Sequence, residues 1–181
     1  EYEYAFIGFL ETEGWIYSSG NNISRVTKRD VLIADDFKKF IVDTNPDLTE
    51  DEVTQIFDNV RLVGSESDFA TLHKVYGWMV NGIQFTPQDG IARMIPLIDF
   101  KKDSNKNIFR VVNQFTVEYT NNGQKENRRP DVLLFVNGMP LCVIELKNPA
   151  DANATIYDAW EQINIRYWRD IPHLLHYCTL A

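Results

Sequence analysis

The chain has 181 residues, 44% hydrophobic and 24% charged; that suffices for one domain with an ordinary core, and no run approaches the roughly 20 apolar residues of a membrane span. It opens without a signal-peptide pattern, and its two cysteines, Cys142 and Cys178, make no disulfide framework, so the expected setting is cytoplasmic. The net charge of −8 is unlike the usual basic nucleic-acid binder, although Lys101, Lys102, Lys106, Arg110, Arg128 and Arg129 gather in the central third.

Residues 1 to 13 carry apolar positions at Phe6, Ile7 and Leu10, with Gly14 just after, which predicts a short helix with a C-terminal stop. Residues 15 to 17 read as a strand. Residues 30 to 80 read as helical. Thr49 and Glu52 form a capping box ahead of the stripe Val53, Ile56, Phe57 and Val60. A second stripe comprises Phe69, Leu72, Val75, Tyr76 and Met79, and ends at Asn81-Gly82.

The pattern then turns to strands, expected over residues 91–100, 108–119, 131–136 and 141–146. Asn121-Asn122-Gly123 and Asn137-Gly138 are hairpin signals between them. Helical spacing returns over 151–169, with Ile156, Trp160, Ile163 and Tyr167 on one stripe, and residues 174–180 read as a last strand. The order predicts an α/β (α+β) domain: a mixed β-sheet flanked by helices, with a core from 1–18 and 82–181 and a helical insertion over about 19–81.

The stretch RPDVLLFVNGMPLCVIELKN, from Arg129 to Asn148, places Asp131 at one end of an apolar ribbon and Glu145 and Lys147 at the other. Charges on strands fit for a core are costly to bury unless paired or bound to a cation. Glu145 and Lys147 are two apart on a strand and share a face. Whether Asp131 joins them depends on register. A strict two-residue turn at Asn137-Gly138 pairs Asp131 with Ile144 and turns it away from Glu145. A three-residue loop from Val136 to Gly138 pairs Phe135 with Met139, and sets Asp131 opposite Val143 and diagonal to Glu145. A one-residue slip flips every side chain, so a shared site requires a three-residue or bulged turn. On a shared face, two carboxylates can hold a hard divalent cation through oxygen, and the lysine can orient or deprotonate a water. That is equipment for metal-assisted phosphodiester hydrolysis. An Asp–Lys or Glu–Lys ion pair at a strand end is the plain structural alternative. Arg128 and Arg129, just before Asp131, suit DNA phosphates or a solvated turn.

Other polar residues point to less. His173 and His176 follow Pro172 and run into an apolar end, a poor frame for a metal. His73 suits a helix surface, and Cys142 a small core position. No G-x-x-x-x-G-K-[ST] loop is present, so ATP binding by that route is not expected.

Pro130-Asp131, thirteen residues, then Glu145-Leu146-Lys147 matches the PD-(D/E)xK nuclease motif. The wider text PLIDF, NIFRVVNQFTVE, RPDVLLFVNGMPLCVIELKNPA and DIPHLLHY resembles the N-terminal endonuclease domain of the restriction (R) subunit of type I restriction–modification enzymes. The similarity is clear from about residue 82 to 181, and EYEYAFIGFLETEGWIY is similar to the family's opening helix and strand. The resemblance implies a restriction-endonuclease-like core and Mg²⁺-dependent cleavage of double-stranded DNA. Asp131 and Glu145 would be metal ligands, aided by the Leu146 carbonyl, with Lys147 as the catalytic lysine and Glu3 as a supporting acid. It implies modification and specificity subunits as partners, a motor that binds ATP outside this chain, and cutting away from the recognition site when translocation stalls. The missing initiator Met and the strand-like end fit a domain excised from such a subunit. A stand-alone resolvase or repair nuclease is a further reading, and a catalytically silent DNA-binding or subunit-docking module is the alternative from another class.

One departure stands out. The family carries Gln-xxx-Tyr on the helix after the core, whereas here Gln162 is followed four residues later by Arg166 and five later by Tyr167. Four residues keep a side chain on the same α-helical face and five do not. On that basis Tyr167 belongs to the apolar stripe, and Gln162 and Arg166 together face the DNA or Lys147, unless the helix carries a local bulge.

Overall fold

The computed structural model describes residues 2–64, 67–101, 106–147 and 155–179. Four strands form the main sheet: β1 (Ile16–Ser19), β4 (Phe109–Asn113), β7 (Val132–Val136) and β8 (Met139–Ile144), in the order β1-β4-β7-β8. β1 runs parallel to β4, and the other pairs are antiparallel. Two small ribbons flank it: β2 (Ile83–Phe85) with β3 (Arg93–Ile95), and β5 (Val117–Asn121) with β6 (Gln124–Arg128). Sheet and helices are thus mixed as the sequence pattern implies.

Both faces of the sheet are covered, which is why β7 reads as an almost unbroken apolar run. On one face α1 (Tyr2–Thr12) lays Ile7 and Leu10 over Val111 and Val132. The other face carries Val112, Leu133, Phe135, Met139 and Val143 into a core with α2 (Ala34–Thr44), α3 (Glu50–Arg61) and α4 (Asp68–Asn81). The helical insertion therefore shares one core with the sheet. The Thr49–Glu52 capping box forms at the start of α3, and the Glu52 carboxylate also accepts from the Gln88 N–H at 2.7 Å. Arg110 of β4 ties this insertion to the sheet. It donates to both carboxylate oxygens of Asp36 at 2.6 and 2.8 Å and to Ser18 Oγ at 2.7 Å.

Several expected elements come out differently. The 91–100 segment pairs only over β3. The 108–119 run is broken at Gln114, whose φ of 54° ends β4 before β5 begins. Phe69 and Tyr76 of α4 are exposed. The last expected strand is instead the short helix α7 (Pro172–Leu175), begun by a proline at its first turn, followed by a turn. Leu180 lies outside the described residues, as do Lys102 and Asn148.

The decisive difference lies in the β7–β8 hairpin. Its turn is the two-residue kind: Val136 pairs with Met139, and Asn137 and Gly138 take φ of 51° and 75°, the type I′ geometry that matches strand twist. The register shifts farther along. Phe135 pairs with Pro140 but Leu134 with Cys142, leaving Leu141 as an extra residue in β8. Pro140 has no N–H to give the ladder, so a bulge beside it loses little. The expected three-residue turn is thus replaced by a tight turn and a bulged strand. Val132 then pairs with Ile144, and the same register carried one step on sets Asp131 opposite Glu145 rather than diagonal to it.

Candidate active site

Asp131 precedes β7 and Glu145 follows β8, so both sit where the ladder ends. Asp131 is held at two points. Its carbonyl accepts from the Gln114 N–H at 3.0 Å, and its Oδ2 accepts from the Leu146 N–H at 2.9 Å. The second bond uses one carboxylate oxygen.

Glu145 meets the helical segment that follows. α5 (Ile156–Glu161) leads into a π-helical turn, Gln162–Tyr167, and then α6 (Trp168–Asp170). Wider winding places residues five apart over one another, where α-helical winding would place residues four apart. Gln162 and Tyr167 therefore share a face. The Tyr167 hydroxyl donates to Glu145 Oε1, and Gln162 Nε2 donates to Glu145 Oε2 at 2.7 Å and to Tyr167 Oη at 2.9 Å. Gln162 Oε1 in turn accepts from Lys147 Nζ at 2.8 Å. One amide thus links the lysine, the glutamate and the tyrosine. Tyr167 is 1% exposed and also belongs to the core, but its hydroxyl is a site group that the four-residue rule hid. The signal was the extra residue between Gln162 and Tyr167.

Burial pushes the Glu145 carboxyl up to about 7; the Tyr167 hydrogen bond opposes this, Asp131's charge adds to it, Lys147 lowers it, and contact with the Asp131 carboxyl raises it again. Tyr167 is itself held far above its ordinary value by burial and by Glu145's charge. Two carboxylates pressed together at a half-buried strand end form an oxygen donor set short of positive charge. A magnesium ion fits that chemistry, because it binds through one or two carboxylates and completes its shell with water and phosphate. Among the described residues no group of three or more His, Cys, Asp or Glu side chains gathers to hold a metal.

Tyr167→Phe keeps the ring in the core and removes the hydroxyl whose hydrogen bond favours the charged form of Glu145 against its burial. The expected result is an upward move of the pH midpoint for metal binding, with stability changed by no more than about 1–2 kcal/mol. Calorimetric Mg²⁺ titrations across pH, beside a urea melt, check both.

Glu3 of α1 accepts from Asn113 Nδ2 at 2.7 Å and from Gln114 Nε2 at 3.2 Å. Arg166 is exposed and lies 3.4 Å from Glu161, while π winding brings Tyr167 rather than Arg166 onto the face of Gln162. Arg128 closes β6 and donates to Asp170 Oδ2 of α6 at 2.7 Å, while Arg129 is exposed. Of the other central cations, Arg110 is engaged by Asp36 and Lys106 by the Asp43 carbonyl at 3.0 Å. Ile156 and Trp160 are 89% and 50% exposed, so the expected apolar stripe on this helix is buried only at Ile163 and Tyr167. Away from the site, His176 Nε2 lies 2.8 Å from Asp68, His73 is exposed and Cys142 half-buried.

The mixed sheet thus gathers two acids and a lysine at one strand end, backed by a glutamine and a tyrosine from the helical segment that follows. The chain belongs to the family described as type I restriction enzyme R protein N terminus, which matches residues 3–181. It is 34% identical over 188 residues to a protein of Methanocaldococcus jannaschii provisionally named type I restriction enzyme MjaIXP endonuclease subunit, a match covering 98% of this chain and 18% of that one. It is 30% identical over 182 residues to the type I restriction enzyme HindI endonuclease subunit of Haemophilus influenzae, covering 93% of this chain and 16% of that one. The chain thus spans under a fifth of the length of these relatives. Among the described residues no helix is long and apolar enough to cross a membrane.

Proposed function

We propose that this chain is the endonuclease domain of a type I restriction enzyme R subunit, a PD-(D/E)xK nuclease that hydrolyses phosphodiester bonds of double-stranded DNA with Mg²⁺. The observation that carries the reading is the hydrogen-bonded ring of Glu145, Gln162 and Tyr167, with Lys147 bonded to Gln162, beside Asp131 in a chain of this family. Asp131, Glu145 and the Leu146 carbonyl are the groups that would hold the ion. When bound, it supplies polarisation of a phosphoryl oxygen and a water of lowered pKa. Gln162 holds Lys147, which orients the attacking water or takes its proton and offsets charge on the phosphate. Tyr167 and Gln162 keep Glu145 oriented as a ligand.

The cations beside the site favour dependence on partners. Arg128 is committed to Asp170 and Arg110 to Asp36, so that besides Lys147 the exposed Arg129, two residues before Asp131, is the cation at hand for a phosphate. A duplex is therefore held mainly by the modification and specificity subunits and by the ATP-driven motor of the whole subunit. Cutting occurs without sequence preference, away from the recognition site, where translocation stalls. The test uses the full-length subunit in its complex, with Lys147→Ala or Glu145→Ala. Loss of cleavage with ATP hydrolysis and translocation retained is the expected result. Cleavage that survives favours a silent docking or DNA-binding module instead.

A further inference from the structure

Glu3 occupies the position where a third acid is expected to support the metal, yet both its carboxylate oxygens are already engaged by Asn113 and Gln114. Gln114 is the unusual member. It is a non-glycine residue in the left-handed region, φ 54°, a conformation that side chains other than Asn and Asp seldom adopt and that persists only when its surroundings enforce it. Those surroundings are visible. Its N–H donates to the Asp131 carbonyl, and its side chain donates to Glu3. Gly20 lies so close that a Cβ there would meet Phe115 Cα at 2.6 Å and the Gln114 carbonyl oxygen at 2.7 Å. The backbone at 114–115 is thus packed directly against Gly20 and tied to the Asp131 carbonyl. Asn113 is 3% exposed, and its Oδ1 accepts from the Tyr17 hydroxyl at 3.2 Å, which sets its amide toward Glu3.

We infer that Gln114 is a positioning residue for Asp131, and that Glu3 acts on the metal site through Gln114 rather than as a ligand. Asp131 lies one residue outside the β7 ladder, so its main chain depends on this N–H, and the N–H depends on the left-handed turn that Glu3 clamps. The inference rests on the reading of Asp131 as a metal ligand.

The test is calorimetric Mn²⁺ titration of the chain, with melting curves alongside. Gln114→Gly accepts the positive φ and removes the clamp. Gln114→Asn also tolerates that conformation and has too short a side chain to reach Glu3 in the same way. Each, like Glu3→Gln, is expected to weaken Mn²⁺ binding about 10-fold, as for other outer-shell partners. The double variant Glu3→Gln with Gln114→Gly should lose no more than the worse single one, because the two act as a unit. A purely structural role would lower the melting temperature and leave Mn²⁺ affinity alone. Asp131-dependent Mn²⁺ binding that is indifferent to both Gln114 variants, or additive losses in the double variant, overturns the inference alone. Mn²⁺ binding that is absent, or unchanged in Asp131→Asn, overturns the metal-site reading with it.

Discussion

Magnesium affinity should fall about 100-fold between pH 8 and pH 5, because a proton competes for Glu145 with a midpoint of about 7. The same group shapes stability without metal. The Glu145 carboxyl ordinarily titrates near 4.5, and it gives that behaviour up on folding. Between the two values the folded state binds the proton and the unfolded chain does not. Stability from this group is therefore greatest at low pH, falls as pH rises from about 4.5 through 7, and stays low above, by at most about 3 kcal/mol. His173 works the other way: burial lowers it from 6.5 to about 4, so its contribution grows as pH rises through that interval and is complete above it. The raw profile mixes the two, and the difference between wild type and Glu145→Gln isolates the carboxyl. That difference should grow from pH 5 to pH 8, and saturating Mg²⁺ at pH 8 should erase most of it by restoring wild type. Equal Mg²⁺ affinity at the two pH values would remove Glu145 from the ligand set. A metal-free difference that stays flat would mean that its burial costs nothing.

The carboxylates were legible because strands fit for a core carry charge only for a reason; the expected shared strand face of Glu145 and Lys147 is not what joins them, since both lie past the end of β8 and Gln162 bridges them instead. The meeting of the two carboxylates was legible only as a condition. The condition is met in β8 at Leu141, beside Pro140, and not at the turn. The Asn137-Gly138 pair is the strongest short-range hairpin signal there is, and it behaves as its composition says. The bulge had one clue, a proline inside a strand pattern, and that clue does not tell the direction of the slip. Tyr167 is core, as its place on the apolar stripe implies, but α-helical spacing hides that its hydroxyl also reaches Glu145, because the extra residue is taken up by π winding. Gln114 carried no signal, since nothing marks a glutamine for the left-handed region. Residues 174–177 show a commoner limit: a short apolar run fits a buried strand or a buried helical turn equally, and Pro172 was the better guide.

Gly138→Ala should destabilise the chain by about 2–5 kcal/mol, and a matched substitution within the same protein separates the causes. The chain holds two Asn-Gly turns of one type. Asn122-Gly123 joins β5 to β6 with φ of 49° and 80°, and a Cβ on Gly123 meets nothing within 4 Å. Alanine there carries only left-handed strain, about 1–2 kcal/mol. Gly138 has the same backbone but faces the start of α2. A Cβ on it would stand 2.2 Å from the Ile33 carbonyl oxygen and 2.9 Å from Phe37 N. Both are backbone atoms at a helix terminus, so the hairpin and the helix have to separate. Separation strains the Ile33 N–H bond to the Gly138 carbonyl, now 2.9 Å. It also disturbs Asn137, fully buried, whose side chain accepts from Ile108 N–H at 2.7 Å and donates to the Leu97 carbonyl at 2.9 Å. Urea melts of the two alanine variants measure the gap directly. A loss at Gly138 well beyond that at Gly123 means that the turn anchors the insertion to the sheet, holding the hairpin whose far end carries Asp131 and Glu145. Equal losses would mean that the contact with α2 yields without cost, and that the hairpin keeps its register by strand pairing alone.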